Sequence, residues 1–547
     1  MTDNLIQRTA SAYTYPLLIK NLLQGPVVNN PKQEIVYRDQ LRFTYQQFRE
    51  RVCRLAGALT ELGVKAGDTV AVMDYDSHRY LECFFAVPML GAVLHTVNVR
   101  LSPEQILYTI DHAEDDFLLV HEDFLPIVEQ IKGRIDTVQH YILLSEQDEQ
   151  PATGLPMAGE YEALLSAAAP DFDFQDFDES TRATTFYTTG TTGMPKGVYF
   201  SHRQLVLHTL GVLAALGTST SQGRFHQDDV YMPITPMFHV HAWGLPYVAT
   251  ALGVKQVYPG KYTPDMLLGL LEKEKVTFSH CVPTILHLLM NHPSYEQVDL
   301  SNWKVIIGGA ALPKAMCEAA LEKGIDIFTG YGMSETCPIL TFAQLTSEML
   351  KEDDQAEIRC KTGRPIPLVQ LRLVDEEMND IPKDGESVGE IVVRAPWLTQ
   401  GYLKDQRNSE VLWRGGYLHT GDVANMDREN YAKITDRIKD VIKIGGEWVS
   451  SLELEDILCS HPAVGEVAVI GLPDTKWGEK PLALVVHKEN AEQITAKQLL
   501  AHTKEFIEKG MLTKQALLLK IVFVDSIDKT SVGKINKKAL REKYAAS

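Results

Sequence analysis

The sequence predicts an α/β protein with a large N-terminal domain of helix-covered β-sheets and a small α+β C-terminal domain. Short apolar runs alternate with helical patterns along most of the 547 residues, and this alternation is typical of parallel sheets covered by helices. A chain of this length indicates about two to four domains. The apolar runs lie at 68–73, 116–122, 141–144, 183–189, 198–202, 304–310 and 390–395.

The first half of the chain contains a glycine-rich segment ahead of a predicted helix. The stretch from Ser201 to Gln204 has the form of a capping box and precedes an apolar run from Leu205 to Leu216, so a helix is expected to begin there. The glycine-rich segment just upstream is therefore expected to be a loop between strands and ahead of a helix, a position that commonly carries function.

Residues 230–254 contain no Asp, Glu, Lys or Arg. A membrane-spanning helix needs ~20 continuous apolar residues, whereas Pro233, Pro236, Pro246 and two histidines interrupt this segment. We therefore expect a buried strand, a turn and a helix here, and no transmembrane segment.

Residues 441–547 are predicted to form the C-terminal domain. Short strands are expected at 466–472, 483–487 and 520–525. Ser450 and Glu453 can cap the helix that follows the glycine turn of 436–448. The domain boundary is placed at the charged stretch 436–440, which is either a hinge or, on composition alone, merely a solvated segment; residues 1–435 are then the N-terminal domain.

Charge and cysteine content exclude several classes of protein. The net charge of −19 disfavours non-specific binding to nucleic acid or to an anionic membrane surface. The seven cysteines are scattered, without a C-x-x-C pair, which argues against a disulfide framework or a structural zinc site. The N-terminus has no basic start followed by an apolar run, so we expect a soluble, cytoplasmic protein.

The strongest motif for anion binding runs from Tyr187 to Gly197, Y-T-T-G-T-T-G-M-P-K-G. Its glycines let backbone N–H groups close around phosphate oxygens, its threonines add donors, and Lys196 adds a positive charge. A Walker A loop has Ser or Thr directly after Gly-Lys, whereas Lys196 lies between Pro195 and Gly197. A P-loop ATPase or kinase is therefore disfavoured.

This loop resembles the phosphate-binding motif of the AMP-forming acyl-adenylating superfamily, which contains acyl-CoA synthetases, luciferases and peptide-synthetase adenylation domains. Further motifs follow in that family's order over residues 30–540, and segments 239–243 and 442–451 are most similar to medium- and long-chain fatty-acid–CoA ligases. The motifs are Pro236–His239, Gly308–Leu312, Tyr331–Thr336, Thr420–Asp422, Asp436–Glu447 and Thr530–Lys534.

The resemblance implies a reaction in two halves. A carboxylate attacks the α-phosphate of ATP to give acyl-AMP and pyrophosphate, and the thiol of coenzyme A then displaces AMP to give a thioester. ATP, Mg²⁺ and coenzyme A are therefore the expected cofactor and substrates besides the acid, and a homodimer is the expected assembly.

The resemblance also implies an ATP/AMP-binding site. Glu335 and Thr188 are expected to supply oxygen ligands to Mg²⁺. Asp422, supported by Arg437, is expected to accept hydrogen bonds from both ribose hydroxyls, and the ring of Tyr331 is expected to stack on adenine. The other expected contacts are Thr189, Gly190, Thr191, Thr192, Lys196, Gly309, Ala310, Ala311, Thr329, Gly330, Gly332, Ser334 and Lys443.

Lys534 is the expected catalytic cation in this resemblance. It would stabilise the charge that builds on the oxygens between the acyl group and the α-phosphate. His239 is expected beside the substrate carboxylate, with Glu335 at the metal, and Val240 and Trp243 are expected to line and gate the acyl pocket. Without the resemblance, ordinary core packing remains the alternative for His239 and Trp243.

The resemblance also implies that the small α+β C-terminal domain is mobile and presents a different face for thioester formation. Lys439 occupies the hinge position, where many relatives have aspartate, and a few residues can absorb the backbone rotation. After rotation the coenzyme A tunnel is expected to be lined by Gly445, Gly446, Glu447 and Trp448, since close approach of a thin chain needs glycine.

Three classes of function remain open. The first is the fatty-acid–CoA ligase, for which the apolar segment 240–254 favours an alkyl chain. A short or thioether acid such as methylmercaptopropionate is an alternative substrate, since motifs do not reveal pocket depth. The second is adenylation that ends on a carrier-protein thiol or in oxidation. The third is a non-catalytic nucleotide-binding protein, which the joint presence of Lys534, Glu335 and Asp422 argues against.

Overall fold

The computed structural model describes residues 4–545 except 148, 150, 189–193, 220–221, 352–353, 445–446, 489–490, 492, 509–511, 513 and 531–533. Among these described residues, no helix combines the length and the apolar character that crossing a bilayer would require.

The strands are β1 Glu34–Tyr37, β2 Leu41–Thr44, β3 Thr69–Met73, β4 Val93–Thr96, β5 Phe117–His121, β6 His140–Leu144, β7 Met157–Glu160, β8 Arg182–Thr188, β9 Lys196–Ser201, β10 Val230–Pro233, β11 Lys255–Tyr258, β12 Phe278–Cys281, β13 Lys304–Ile307, β14 Asp326–Gly332, β15 Ile339–Phe342, β16 Arg364–Pro365, β17 Gln370–Val374, β18 Gly389–Arg394, β19 Leu418–Met426, β20 Ala432–Arg437, β21 Ile442–Ile444, β22 Glu447–Val449, β23 Val464–Asp474, β24 Gly478–His487 and β25 Lys520–Phe523.

The helices are α1 Lys20–Asn29, α2 Tyr45–Glu61, α3 His78–Met89, α4 Pro103–Ala113, α5 Leu125–Ile131, α6 Tyr161–Ala167, α7 His202–Thr218, α8 Val240–Trp243, α9 Leu245–Leu252, α10 Pro264–Glu274, α11 Pro283–Met290, α12 Lys314–Glu322, α13 Gln355–Arg359, α14 Gln406–Leu412, α15 Ser451–Cys459, α16 Ala496–Glu508 and α17 Lys537–Ala545. Of these, α8 is a single left-handed turn.

Two large sheets dominate the N-terminal region. The seven-stranded sheet has the order β7-β6-β5-β3-β4-β8-β9 and is parallel except for the β8–β9 hairpin. The nine-stranded sheet has the order β16-β15-β14-β13-β12-β10-β11-β1-β2, with a parallel centre and antiparallel edges. Helix α3 is buried along its whole length, and one hydrophobic cluster contains residues of both sheets. The two sheets therefore share a core.

The parallel centre of the nine-stranded sheet places the candidate motifs at one edge. Strands β10, β12, β13 and β14 are neighbours and run in the same direction, so the segments after them emerge side by side. Ligands of open α/β sheets bind outside the carboxyl ends of such strands.

Two smaller sheets complete the fold. Strands β17–β20 form an antiparallel four-stranded sheet, and β21–β25 form the sheet of the C-terminal region, in which β25 runs parallel to β24. Strand β20 ends at Arg437 and β21 begins at Ile442. The predicted hinge at 436–440 lies across this interval and stays a prediction.

The local predictions agree with the structure. The side chain of Ser201 caps α7 through a complete capping box with Gln204, and Ser450 caps α15 by accepting the N–H of Glu453. Residues 230–254 form β10, a turn and α9. The predicted fold class is confirmed.

Candidate active site

Asp422 is held by two side chains from different strands. Asp422 on β19 and Arg437 on β20 are cross-strand partners, and Nε of Arg437 lies 3.1 Å from Oδ1 of Asp422. The hydroxyl of Tyr331, on β14, donates a hydrogen bond to Oδ2 at 2.7 Å. Because each carboxylate oxygen can accept more than one hydrogen bond, Asp422 is oriented by these contacts and keeps acceptor capacity for a diol.

Glu335 is a buried carboxylate, 6% exposed, in the turn that follows β14. The hydroxyl of Tyr402 donates a hydrogen bond to its Oε1 at 2.7 Å, and Nζ of Lys196 lies 4.4 Å from the centre of the Tyr402 ring. Burial raises the pKa of Glu335, and the Tyr402 hydrogen bond opposes that rise. No motif in the sequence pointed to Tyr402, which lies 67 residues from Glu335 along the chain.

This carboxylate fits the metal that the sequence predicts. Mg²⁺ takes one or two protein carboxylates and completes its shell with substrate phosphates and water, so a single buried glutamate beside a phosphate loop suits it. Thr188 ends β8, directly before the loop, and is the cross-strand partner of Lys196. Thr188 therefore borders the loop directly, whereas Glu335 lies in the turn after β14 and is related to the loop's other end through Tyr402, which contacts both Glu335 and Lys196.

Lys534 reaches from the C-terminal region into the same group of side chains. A methyl group built on Gly309, after β13, would lie 3.2 Å from Cε and 3.7 Å from Nζ of Lys534. Burial and the positive charge of Arg437 lower the pKa of Lys534 to about 8, against the opposing effect of Asp422 and Glu335. The structure thus brings together the predicted catalytic lysine, the ribose carboxylate and the metal carboxylate.

His239 lies in a loop that is fixed at two backbone positions. Oδ1 of Asp76 accepts the N–H of Met237 at 2.6 Å, and the hydroxyl of Thr96 donates to the carbonyl of Phe238 at 3.0 Å. Burial, with the charges of Lys534 and Arg100, lowers the pKa of His239 to about 3, so its imidazole is neutral near pH 7. Asp76 and Thr96 are supporting residues that the sequence did not identify.

The turn after His239 has an unusual backbone. Val240, His241, Ala242 and Trp243 have φ angles of 51°, 53°, 47° and 60°, and all four residues are buried. The left-handed conformation costs roughly 1–2 kcal/mol for each L-residue, and a β-branched residue adopts it least readily. Strain of this kind persists where surrounding packing enforces it, commonly at functional sites.

Trp243 packs against the predicted nucleotide-binding turn. A methyl group on Gly308 would lie 2.9 Å from Cη2 of the indole, and the ring centre of His280 is 5.0 Å from that of Trp243. The indole therefore fills the space between the left-handed turn and Gly308. Val240 lies in the same turn, and the acyl-pocket role of both residues stays a prediction.

The predicted adenine-binding residues lie in the turn after β13 and on β14. Gly309, Ala310 and Ala311 are exposed, so their backbone is open to a ligand. A methyl group on Gly332 would lie 1.7 Å from the carbonyl oxygen of Pro338, so this position admits only glycine. The remaining predicted residues are Thr329 and Gly330, buried on β14, and Ser334, half-buried in the turn before Glu335.

Other predicted residues are not placed at this site. Thr189, Gly190, Thr191, Thr192, Gly445 and Gly446 lie outside the described residues, as do the side chains of Glu447 and Trp448. Lys439 and Lys443 are exposed, the first between β20 and β21 and the second on β21. Their roles in hinge motion and nucleotide contact stay predictions.

Models of one enzyme family match most of the chain. The family model described as AMP-binding enzyme matches residues 24–403, and the model of the AMP-binding enzyme C-terminal domain matches residues 453–534. A crystal structure of an anthranilate CoA ligase in complex with anthranoyl-AMP has 25% sequence identity and a TM-score of 0.83, covering 97% of this chain and 98% of that one.

Two relatives are similar over nearly the whole chain. A long-chain-fatty-acid–CoA ligase of Thermus thermophilus is 42% identical over 508 residues, which are 92% of this chain and 90% of the relative. A 3-methylmercaptopropionyl-CoA ligase of Ruegeria lacuscaerulensis is 37% identical over 545 residues, 97% of this chain and 98% of the relative. The family resemblance inferred from the motifs is confirmed: the chain belongs to the AMP-binding enzymes.

Proposed function

We propose that this chain joins a medium- to long-chain fatty acid to coenzyme A in an ATP- and Mg²⁺-dependent reaction that passes through acyl-AMP and releases AMP and pyrophosphate. The observation that carries the proposal is the position of Lys534, which lies against Gly309 and within electrostatic reach of Asp422, Glu335 and His239. A protein that only bound nucleotide would not need a desolvated lysine at this point.

The nucleotide would be held from three sides. Asp422 accepts the ribose hydroxyls while Arg437 and Tyr331 keep its carboxylate oriented. The backbone of Gly309, Ala310 and Ala311 leaves room for a flat base. The threonines of the phosphate loop and Lys196 bind the β- and γ-phosphates, with Gly330, Gly332, Thr329, Ser334 and Lys443 completing the contacts.

Adenylation would depend on charge complementarity. Glu335 and Thr188 would hold Mg²⁺, which would supply positive charge to neutralise the phosphates. Lys534 stabilises the negative charge on the oxygens between the acyl group and the α-phosphate. His239, neutral because of its low pKa, hydrogen-bonds the acid or the phosphate without adding a second positive charge.

The second half-reaction would use another face of the C-terminal domain, residues 441–547. Rotation at Lys439, within the hinge 436–440, would withdraw Lys534 and bring Gly445, Gly446, Glu447 and Trp448 to the acyl-AMP. Close backbone approach at the glycines leaves a path for the thiol of coenzyme A.

The identity of the carboxylic acid is inferred from the turn after His239 and from the relatives. The turn from Val240 to Trp243 is buried and, apart from His241, apolar, which suits an alkyl chain, and the relative with 42% identity is a long-chain-fatty-acid–CoA ligase. The similarity to a 3-methylmercaptopropionyl-CoA ligase over 97% of this chain keeps a short thioether acid as the second candidate.

The test is pyrophosphate release with Mg-ATP, measured for straight-chain acids from acetate to oleate and for methylmercaptopropionate, with and without coenzyme A. We expect acid-dependent release that peaks at one chain length of six carbons or more and turns over repeatedly only with coenzyme A. If release is fastest with methylmercaptopropionate, the substrate is the thioether acid and not a fatty acid. Release that stops near one equivalent even with coenzyme A would indicate a different acceptor, such as a carrier-protein thiol.

Compartment and assembly are further proposals. All seven cysteines are free thiols, five of them buried, which suits a reducing compartment such as the cytoplasm. We infer a homodimer from the family resemblance. Light scattering of the purified protein, which measures its molar mass in solution, tests this inference.

A further inference from the structure

A chain of buried polar contacts connects the predicted hinge to the segment that carries Lys534. Oδ2 of Asp436 accepts hydrogen bonds from the N–H of Ser451 at 2.6 Å and from its hydroxyl at 2.7 Å. Nζ of Lys537 donates to the same hydroxyl at 2.6 Å and forms an ion pair with Oε1 of Glu455 at 2.8 Å. We call these four residues the hinge cluster.

The hinge cluster is buried, so its charges depend on each other. Asp436 is 2% exposed, Ser451 is fully buried and Glu455 is 9% exposed. Burial raises the pKa of both carboxyls, and Lys537 opposes that rise at each of them. Removal of one partner from such a group leaves an uncompensated buried charge. Lys537 is therefore the nearby cation that offsets the cost of burying both carboxyls.

The position of Lys537 in its helix is unfavourable by itself. Lys537 is the first residue of α17, where the helix dipole disfavours a positive charge. Glu455 on α15 compensates this cost. One turn later, Nη1 of Arg541 forms an ion pair with Oδ1 of Asp440 at 2.7 Å. Residues four apart lie on one helix face, so this face of α17 binds Asp436 through Ser451 and binds Asp440 directly.

Two members of the hinge cluster are close in sequence to active-site residues. Asp436 precedes Arg437, the cross-strand partner of Asp422, and lies on β20 of the N-terminal region. Lys537 follows Lys534 by three residues. A displacement of α17 from Asp436 would therefore move Lys534 relative to the ribose carboxylate.

We propose that the hinge cluster is a latch between the two domains, and that Asp436, Ser451, Lys537 and Glu455 are positioning residues that hold Lys534 in the adenylation site. The inference rests on the proposed function. A catalytic group displaced by about 1 Å can lose ~100-fold in rate, so loss of the latch slows acyl-AMP formation. Thioester formation from supplied acyl-AMP does not use Lys534 and is spared.

The test compares Lys537→Met with Lys538→Met as a matched control. Lys538 is the next residue, and its partly exposed side chain pairs with Glu542 at 3.6 Å within the same helix. We expect Lys537→Met to lower kcat for acid-dependent pyrophosphate release at least ~10-fold, with little change in the KM for ATP. Thioester formation from acyl-AMP and coenzyme A keeps more than half of its rate, Lys537→Arg restores most of the loss, and Lys538→Met leaves both steps unchanged.

A second readout does not depend on activity. The rate at which an amine-acylating reagent modifies Lys534, followed by mass spectrometry without substrates, should rise several-fold in Lys537→Met and in the milder variant Ser451→Ala. Equal loss of both half-reactions with unchanged Lys534 labelling, or unchanged adenylation in Lys537→Met, overturns the latch. If the unmodified protein releases no pyrophosphate with any acid, the proposed function fails, and the labelling experiment still decides for or against the latch.

Discussion

Lys534 lies against Gly309, so closely that a methyl group on the glycine would be 3.2 Å from Cε of the lysine. The contact joins the last motif of the chain to the turn after β13, and it places a C-terminal cation beside residues that the N-terminal sheets position.

Lys534→Ala should remove adenylation selectively. Loss of one preorganised charge that stabilises a transition state costs about 100- to 1,000-fold in rate, so pyrophosphate release from acid and ATP should fall by that factor. Thioester formation from supplied acyl-AMP should keep most of its rate. Lys538→Ala is the control, and equal loss of both half-reactions in Lys534→Ala would contradict the role assigned to Lys534.

The adenylation rate should fall at alkaline pH because Lys534 acts as a cation. Its pKa of about 8 in the free protein predicts that kcat/KM for ATP falls as pH rises through about 8 and approaches a tenfold loss for each further unit. Bound phosphates favour the charged lysine, so the fall in kcat should occur at higher pH. His239 has a pKa of about 3, so its protonation should not lower the adenylation rate as the pH falls towards 5.

The control for this pH dependence is Lys534→Arg, measured by pyrophosphate release between pH 6 and 10. Arginine stays protonated over this range, so whatever activity the variant retains should lack the fall near pH 8. The same fall in both proteins would assign it to another group.

Tyr331→Phe should weaken ATP binding. The change removes the hydroxyl that orients buried Oδ2 of Asp422, and the loss of such a hydrogen bond costs about 0.5–1.5 kcal/mol, or roughly 2- to 12-fold in the KM for ATP. Tyr431→Phe is the matched control, since its buried hydroxyl bonds the carbonyl of Gln344 at 2.6 Å, away from Asp422. An unchanged KM in Tyr331→Phe would show that Arg437 alone orients the carboxylate.

Gly244→Ala should destabilise the left-handed turn that precedes α9. Gly244 has φ +72°, and an added methyl group would lie 2.8 Å from Cε1 of the buried His208. The backbone term alone costs about 1–2 kcal/mol, so both the thermal midpoint and acid-dependent pyrophosphate release should fall. Gly269→Ala is the control: Gly269 lies inside α10 with nothing near its added methyl group, and alanine there should raise the free energy of unfolding by about 0.5–1 kcal/mol. Equal midpoints in the two variants would refute the strain argument.

Local patterns predicted the elements well because their causes are local. The start of α7 follows from Ser201 and Gln204, which satisfy each other's backbone groups across one helical turn. The apolar runs became buried strands, and the motif residues Lys534, Asp422 and Glu335 meet in one site. Each of these features depends on residue type and spacing within a few positions, or on a family motif that the sequence contains in full.

The contacts that orient the site residues could be found only in the tertiary structure. Three sets of contacts join residues that lie far apart in the sequence: Tyr402 with Glu335, Asp76 with the backbone of Met237, and Lys537 with Ser451 in the hinge cluster. The left-handed turn at Val240–Trp243 contains no glycine or asparagine from which it could be predicted, and only surrounding packing can enforce it. The sequence by itself therefore determined the family and the fold class and supplied the candidate site residues, whereas the orientation and electrostatics of those residues depend on long-range contacts that only the folded chain creates.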